Sequence, residues 1–105
     1  MKYMIEYSIR VVGLTHEQNL GNQEALLNTF SKWEPEEGLT VHAFVSTLAN
    51  GGYVLVEADD PNTVSLFVNK FVYRNDVVVV PVVDVADGVG TGNAALAWTK
   101  AATGG

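Results

Sequence analysis

The chain has no cysteine, which excludes disulfides, thiolate nucleophiles and cysteine-ligated zinc or iron–sulfur sites together. Cations are scarce as well. Six Lys and Arg stand against 12 Asp and Glu, for a formal charge of −6, so no basic stripe exists to neutralise phosphates, and nucleic acid and anionic membrane surfaces are excluded as partners. Long apolar runs are missing too. No stretch approaches the roughly 18 residues of a membrane span, and Glu6 and Arg10 interrupt the segment where a signal peptide needs its apolar core. A soluble, cytoplasmic chain is expected.

What is present is one domain's worth of apolar material. A chain of 105 residues with 48% hydrophobic content buries roughly 60 to 70% of its unfolded surface on folding, enough to fold without staples. Its patterns come in a telling order: an alternating strand at 3–12, an amphipathic helix at 16–33, a hairpin at 40–59, a helix at 61–73 and a valine strand at 77–85. That order is βαββαβ, the ferredoxin-like arrangement of α+β proteins, with four antiparallel strands carrying two helices on one face. A glycine-rich linker and helical tail (88–105) would follow a domain spanning 1–87.

Local signals support each helix. Thr15 and Gln18 form the T-x-x-Q capping box, with His16 a solvated first-turn residue and Glu17 at the positive end of the helix dipole. Leu20, Leu26, Leu27, Phe30 and Trp33 fall on one stripe, and Pro35 stops the helix. The second helix starts with Asp60 as cap and Pro61 at its first position, then runs through Val64, Phe67, Val68, Phe71 and Val72 at i, i+3, i+4, i+7 and i+8.

The hairpin is expected to sort by parity. A tip at Ala49–Asn50 or a type I′ turn at Asn50–Gly51 both make opposed residues sum to an odd number. His42, Phe44 and Ser46 then share a face with Tyr53, Leu55 and Glu57, while Val41, Ala43 and Val45 join Val54, Val56 and Ala58 under the helices. In the first strand Tyr3, Ile5, Tyr7 and Ile9 oppose Met4, Glu6, Ser8 and Arg10. One sheet face is apolar and the other mixed.

The last strand departs from this alternation. Val77, Val78, Val79, Val80, Pro81, Val82 and Val83 are apolar on both faces, and such a strand at a sheet edge is an aggregation hazard unless covered. The economical cover is a second copy, so a homodimer is expected. Pro81 marks a bulge or an unpaired edge position.

The segments PEEGL at 35–39, GGYVLVEADDP at 51–61 and NDVVVVPVVDV at 75–85 resemble a small bacterial family of uncharacterised function within the dimeric α+β-barrel superfamily. The resemblance covers most of the chain and implies two sheets packed face to face. It also implies a small ligand held in a cleft bounded by sheet and helices, since the superfamily includes muconolactone isomerases, metal-free monooxygenases, polyketide cyclases and haem-handling branches. None of those families' catalytic patterns occurs here, so no residue role carries over.

The tail spells GxGxxA at Gly90–Ala95, a superficial match to a dinucleotide-binding fingerprint. That fingerprint opens a βαβ unit, and here neither a return strand nor an acidic ribose ligand follows. The better reading is a flexible linker at Gly88–Gly92 handing on a short helix, Ala94–Ala102, that Leu96 and Trp98 anchor over a pocket or onto a partner subunit.

The remaining chemistry lies on the mixed face. His42 and Glu57 are cross-strand or diagonal neighbours, and a histidine oriented by a carboxylate is the minimum apparatus for general acid/base work near neutral pH. Glu6 and Arg10 approach from the first strand, or form an ordinary ion pair. Tyr7, Trp33, Phe44 and Tyr53 are placed to line a substrate cavity, or to fill the core. His42, Glu57 and Glu6 lack a recognisable metal-ligand spacing, so no metal and no cofactor is expected. Two functions follow. One is a cofactor-independent isomerase, cyclase or lyase acting on a small hydrophobic or aromatic molecule, with His42 as base and Glu57 as its orienter; the other is a non-catalytic dimeric module that binds a small molecule or serves as a partner subunit.

Overall fold

The computed structural model of the chain describes residues 1–11 and 13–104. Val12, expected to end the first strand, and Gly105, at the end of the tail, lie outside the described residues. The elements run β1 (Lys2–Ile9), α1 (His16–Ser31), β2 (Thr40–Ser46), β3 (Gly51–Glu57), α2 (Pro61–Asn69), β4 (Asn75–Val82) and α3 (Val85–Ala102). The four strands form one antiparallel sheet in the order β2-β3-β1-β4. The protein is therefore α+β, with β1 central and the valine-rich β4 at an edge.

The register of three strands follows the alternation in the sequence. Ile5 stands opposite Val54 on β3 and Val79 on β4, so Tyr3, Ile5 and Tyr7 share a face with Val54, Val56, Val77 and Val79. α1 and α2 cover this face. Ile5, Leu39, Val54, Val56, Ala58, Val64 and Phe67 form the buried core. The opposite face carries Lys2, Met4, Glu6, Leu55, Tyr53, Val78 and Val80 and has no layer over it, with Val78 56% and Val80 47% exposed.

The hairpin corrects the expected parity. Val41 pairs with Val56, but a β-bulge between Val41 and Ala43 inserts one extra residue, after which Ala43 pairs with Leu55, Phe44 with Val54 and Val45 with Tyr53. A bulge shifts the period-2 alternation by one. Phe44 and Ser46 accordingly point to the helix side with Val54, and Ala43 and Val45 turn to the open face with Tyr53. Between Ser46 and Gly51 a loop replaces the tight turn, closed by the Thr47 amide donating to the Gly51 carbonyl at 2.8 Å.

Both helix starts form as the sequence dictates. The Thr15 hydroxyl accepts from the Gln18 amide at 3.1 Å while the Gln18 side chain accepts from the Thr15 amide at 3.2 Å, and the Asp60 carboxylate accepts from the Asn62 amide at 2.9 Å. Both helices end early. α1 stops at Ser31, short of Trp33, and α2 at Asn69, after which Phe71 and Arg74 form turns whose amides bond to the Val68 and Phe71 carbonyls.

The tail is the largest departure. Gly88, Gly90 and Gly92 form no linker; they sit inside one continuous helix from Val85 to Ala102, so the GxGxxA motif lies mid-helix and cannot cradle a phosphate at a helix start. No residue of α3 is buried, and Leu96 and Trp98 are exposed rather than docked. The molecule is drawn out accordingly. Its radius of gyration is 19.1 Å and its long axis 67 Å, where a compact chain of this length has a radius of about 13 Å. None of the helices is long and apolar enough to cross a membrane.

Gly52 holds the sheet's tightest point. A Cβ there would meet the Val45 carbonyl oxygen and the Tyr7 ring, which lies over the bare glycine. Gly21 on α1 has open space around it. Gly52→Ala is expected to destabilise the fold by about 2 kcal/mol or more through overpacking, whereas Gly21→Ala should stabilise it by about 1 kcal/mol. Urea denaturation of the two variants checks this, and equal midpoints would refute the placement of Gly52.

Candidate functional site

A cleft of 510 Å³ opens between the sheet and the two helices. Its floor is Ile5, Tyr7, Val54 and Val77 from the sheet, its walls are Leu26, Leu27 and Phe30 from α1 and Phe67, Val68 and Phe71 from α2 and the turn after it, and Phe44 closes one end. The bulge in β2 makes this possible, because it turns Phe44 toward the helices. Six aromatic rings then meet. Trp33 stacks on Phe67 at 4.8 Å and on Phe30 at 5.9 Å, Phe44 sits edge-on to Phe30 at 5.3 Å and to Tyr7 at 5.9 Å, and Phe71 meets Phe67 at 6.0 Å. Offset and edge-to-face pairs of this kind are attractive beyond their buried area.

The cleft is not filled by these rings. Leu27 at its mouth is 58% exposed and Phe30 40%, large values for residues on a helix face turned to the core. Its polar groups are few. The Tyr7 hydroxyl donates to the Val45 carbonyl at 3.4 Å, the buried Asn75 amide donates to the Phe71 carbonyl at 3.0 Å, and Ser46 adds a hydroxyl. Neither carboxylate nor histidine lines it. Such a surface suits a small, flat, uncharged molecule, and the volume lies within the range of small-ligand pockets.

Trp33 is positioned from outside the cleft. Its indole Nε1 donates to the Glu36 carboxylate at 3.2 and 3.3 Å, and Lys70 pairs with that same carboxylate at 2.7 Å. This tripod ties the end of α1 to the end of α2, which sets how far apart the cleft walls stand.

His42 and Glu57 meet elsewhere. His42 Nε2 lies 2.7 Å from Glu57 Oε1, with both side chains at the surface and neither lining the cleft. The pair extends into a row across one end of the open face, since Lys2 stands opposite Glu57 and its ammonium bonds Asp84 at 2.9 Å. The alternating charges reinforce one another. The hydrogen bond from His42, aided by the charges of His42 and Lys2, lowers the Glu57 pKa from its ordinary 4.5. Asp84 is lowered and Lys2 raised by their mutual hydrogen bond and attraction.

The other residues expected in this cluster are separated from it. Glu6 is four positions along β1 from Lys2, about 13 Å at strand rise, and it pairs across to Tyr53 and Val78. Arg10 does not reach Glu6; it bonds the Val72 carbonyl and lies 3.6 Å from Asp76. Tyr53 sits on the open face, 42% exposed, away from Tyr7, Phe44 and Trp33. Among the described residues no three His, Asp or Glu side chains group closely enough to hold a metal ion.

Sequence reading missed Lys2 and Asp84, which join the histidine row only through the β1–β3 and β1–β4 registers. It also missed Phe30, Phe67 and Phe71 as cleft walls, although their helical spacing marked them as facing the core.

Residues 1–96 match the model of a family described as a domain of unknown function, DUF3303. No curated protein and no solved structure matches the chain. With nine-tenths of its length matched by that one model, the chain belongs to the DUF3303 family.

Proposed function

We propose that this protein is a ferredoxin-like subunit of a dimeric α+β barrel that binds a small, uncharged aromatic or hydrophobic molecule in the cleft between its sheet and its helices. The observation that carries the reading is the cleft itself: 510 Å³ of space walled by Leu27, Phe30, Phe44 and Phe71, with only Tyr7, Ser46 and Asn75 to orient a ligand. The open sheet face supports the pairing. Val45, Tyr53, Val78 and Val80 are all well exposed on it, and a contiguous apolar patch on a sheet is the usual mark of an interaction surface.

A second reading rests on the 2.7 Å contact of His42 with Glu57. In it the open face is the reaction surface of a cofactor-independent isomerase, cyclase or lyase. His42 takes a proton from the substrate at one ring nitrogen while Glu57, kept ionised by its neighbours, holds the ring and stabilises the imidazolium. The binding reading ranks first because the acid/base pair and the cleft are on different sides of the sheet.

Three outcomes are expected. Titration with N-phenyl-1-naphthylamine, a neutral fluorescent probe, should give saturable binding that Leu27→Glu reduces at least tenfold, since a charge at the exposed mouth is repelled by no fold constraint but opposes an apolar ligand; His42→Ala should leave binding unchanged. Probe affinity indifferent to Leu27→Glu would remove the cleft from the function.

Light scattering at micromolar concentration should give about twice the 11.3 kDa chain mass, and Val78→Lys with Val80→Lys should return it to the monomer value. A parent protein at 11.3 kDa would overturn the dimer.

Carboxyl NMR should find Glu57 titrating below its ordinary 4.5 in the parent and higher in His42→Ala than in the parent. The sign follows from the pair. A carboxylate with a depressed folded pKa contributes stability above its unfolded pKa and loses it as pH falls through the folded one, so acid weakens the contact. On the second reading the same variant should also cost about a hundredfold in turnover of any substrate found.

A further inference from the structure

α3 is exposed along its whole length. Its 18 residues include no buried one, and its three inner glycines each cost about 1 kcal/mol relative to alanine. Most helical stability in proteins comes from packing of one face, which α3 does not have within the chain. Its sequence shows what is missing. Val85, Val89, Gly92, Leu96 and Thr99 recur at spacings of 4, 3, 4 and 3, the seam pattern of a helix that packs along its length, and the stretch from Gly88 to Thr99 has no charge to keep it in solvent. Val85 is 83% exposed, Val89 58% and Leu96 53%.

The point of departure of α3 selects its partner. The helix begins three residues after β4, and Asp84, its first-turn cap residue, makes no capping bond because its carboxylate is held by Lys2. Lys2 is on the open face of the sheet, in line with Met4 and Glu6. The root of α3 is thus tied to the uncovered side of the sheet. Area points the same way. Four strands, two of eight residues and two of seven, present a footprint of about 500 Å², short of the about 800 Å² per partner of a stable interface, and one side of an 18-residue helix adds about 270 Å².

We propose that α3 is an arm that clasps a second copy of the chain, packing its Val85, Val89 and Leu96 stripe on the subunit whose sheet covers the open face. The inference rests on the dimer reading and goes beyond it, since a barrel can form from the sheets alone. Two-fold symmetry makes the clasp reciprocal, each subunit giving an arm and receiving one.

Because the chain has no cysteine, Leu96→Cys supplies a single attachment point for a maleimide-benzophenone photocrosslinker on the full-length protein. The expected product after irradiation is a species of twice the chain mass, with the crosslinked peptide coming from the other copy in a mixture of ¹⁵N-labelled and unlabelled protein. In parallel, Val89→Asp with Leu96→Asp should weaken the dimer at least tenfold by sedimentation, with β-sheet circular dichroism retained. A parent that is monomeric overturns both the dimer and the clasp. A dimeric parent whose association is untouched by the double variant, and whose crosslinks stay within one chain, overturns the clasp alone.

Discussion

Everything in this molecule depends on a sheet that has two faces and helices for one of them. Ile5, set between Val54 and Val79, fixes which residues of three strands look toward α1 and α2. All seven residues of the central core cluster belong to that side or to the segments packed on it. The other side receives the leftover parity, and in β4 that leftover is valine. The helices cover one face, and on the other the exposed Val78 and Val80 lie beside the charged Lys2 and Glu6.

The two candidate sites divide along the same plane. On the covered side the chemistry is shape and aromatic contact, with hydrogen-bonding groups at the edges and no carboxylate or histidine among the walls. On the uncovered side it is charge, a row of His42, Glu57 and Lys2 from β2, β3 and β1 that ends on Asp84 just past β4. The first is an apolar cleft with a few neutral hydrogen-bonding groups. The second is a row of ion pairs whose exposure keeps each of them weak in free energy.

Much of this was legible in the sequence, and the failures have specific causes. Helix starts were readable because a cap is a local hydrogen bond: Thr15 with Gln18, and Asp60 before Pro61, need no tertiary information. The His42–Glu57 contact was also reached, although by a register that does not occur. Phe44 was assigned to the wrong side because a bulge leaves no mark in an alternating pattern of apolar residues; Val41, Ala43, Phe44 and Val45 can face either way without a polar residue to object. Glu6 was drawn too near His42 because parity says which face a residue is on and nothing about how far along it lies. The tail glycines read as a linker on propensity alone, and propensity is a weak guide where an element is held by what it packs against.

The bulge at His42 joins properties that otherwise have nothing in common. It lets the imidazole reach Glu57 on one side of the sheet, and by the same extra residue it turns Phe44 into the cleft on the other. Pairing without the bulge at the same strand length would set Phe44 opposite Tyr53 on the open side and bring Ala43 under the helices. Cleft shape and histidine position are therefore coupled through the register of β2, while point substitutions can tune either one.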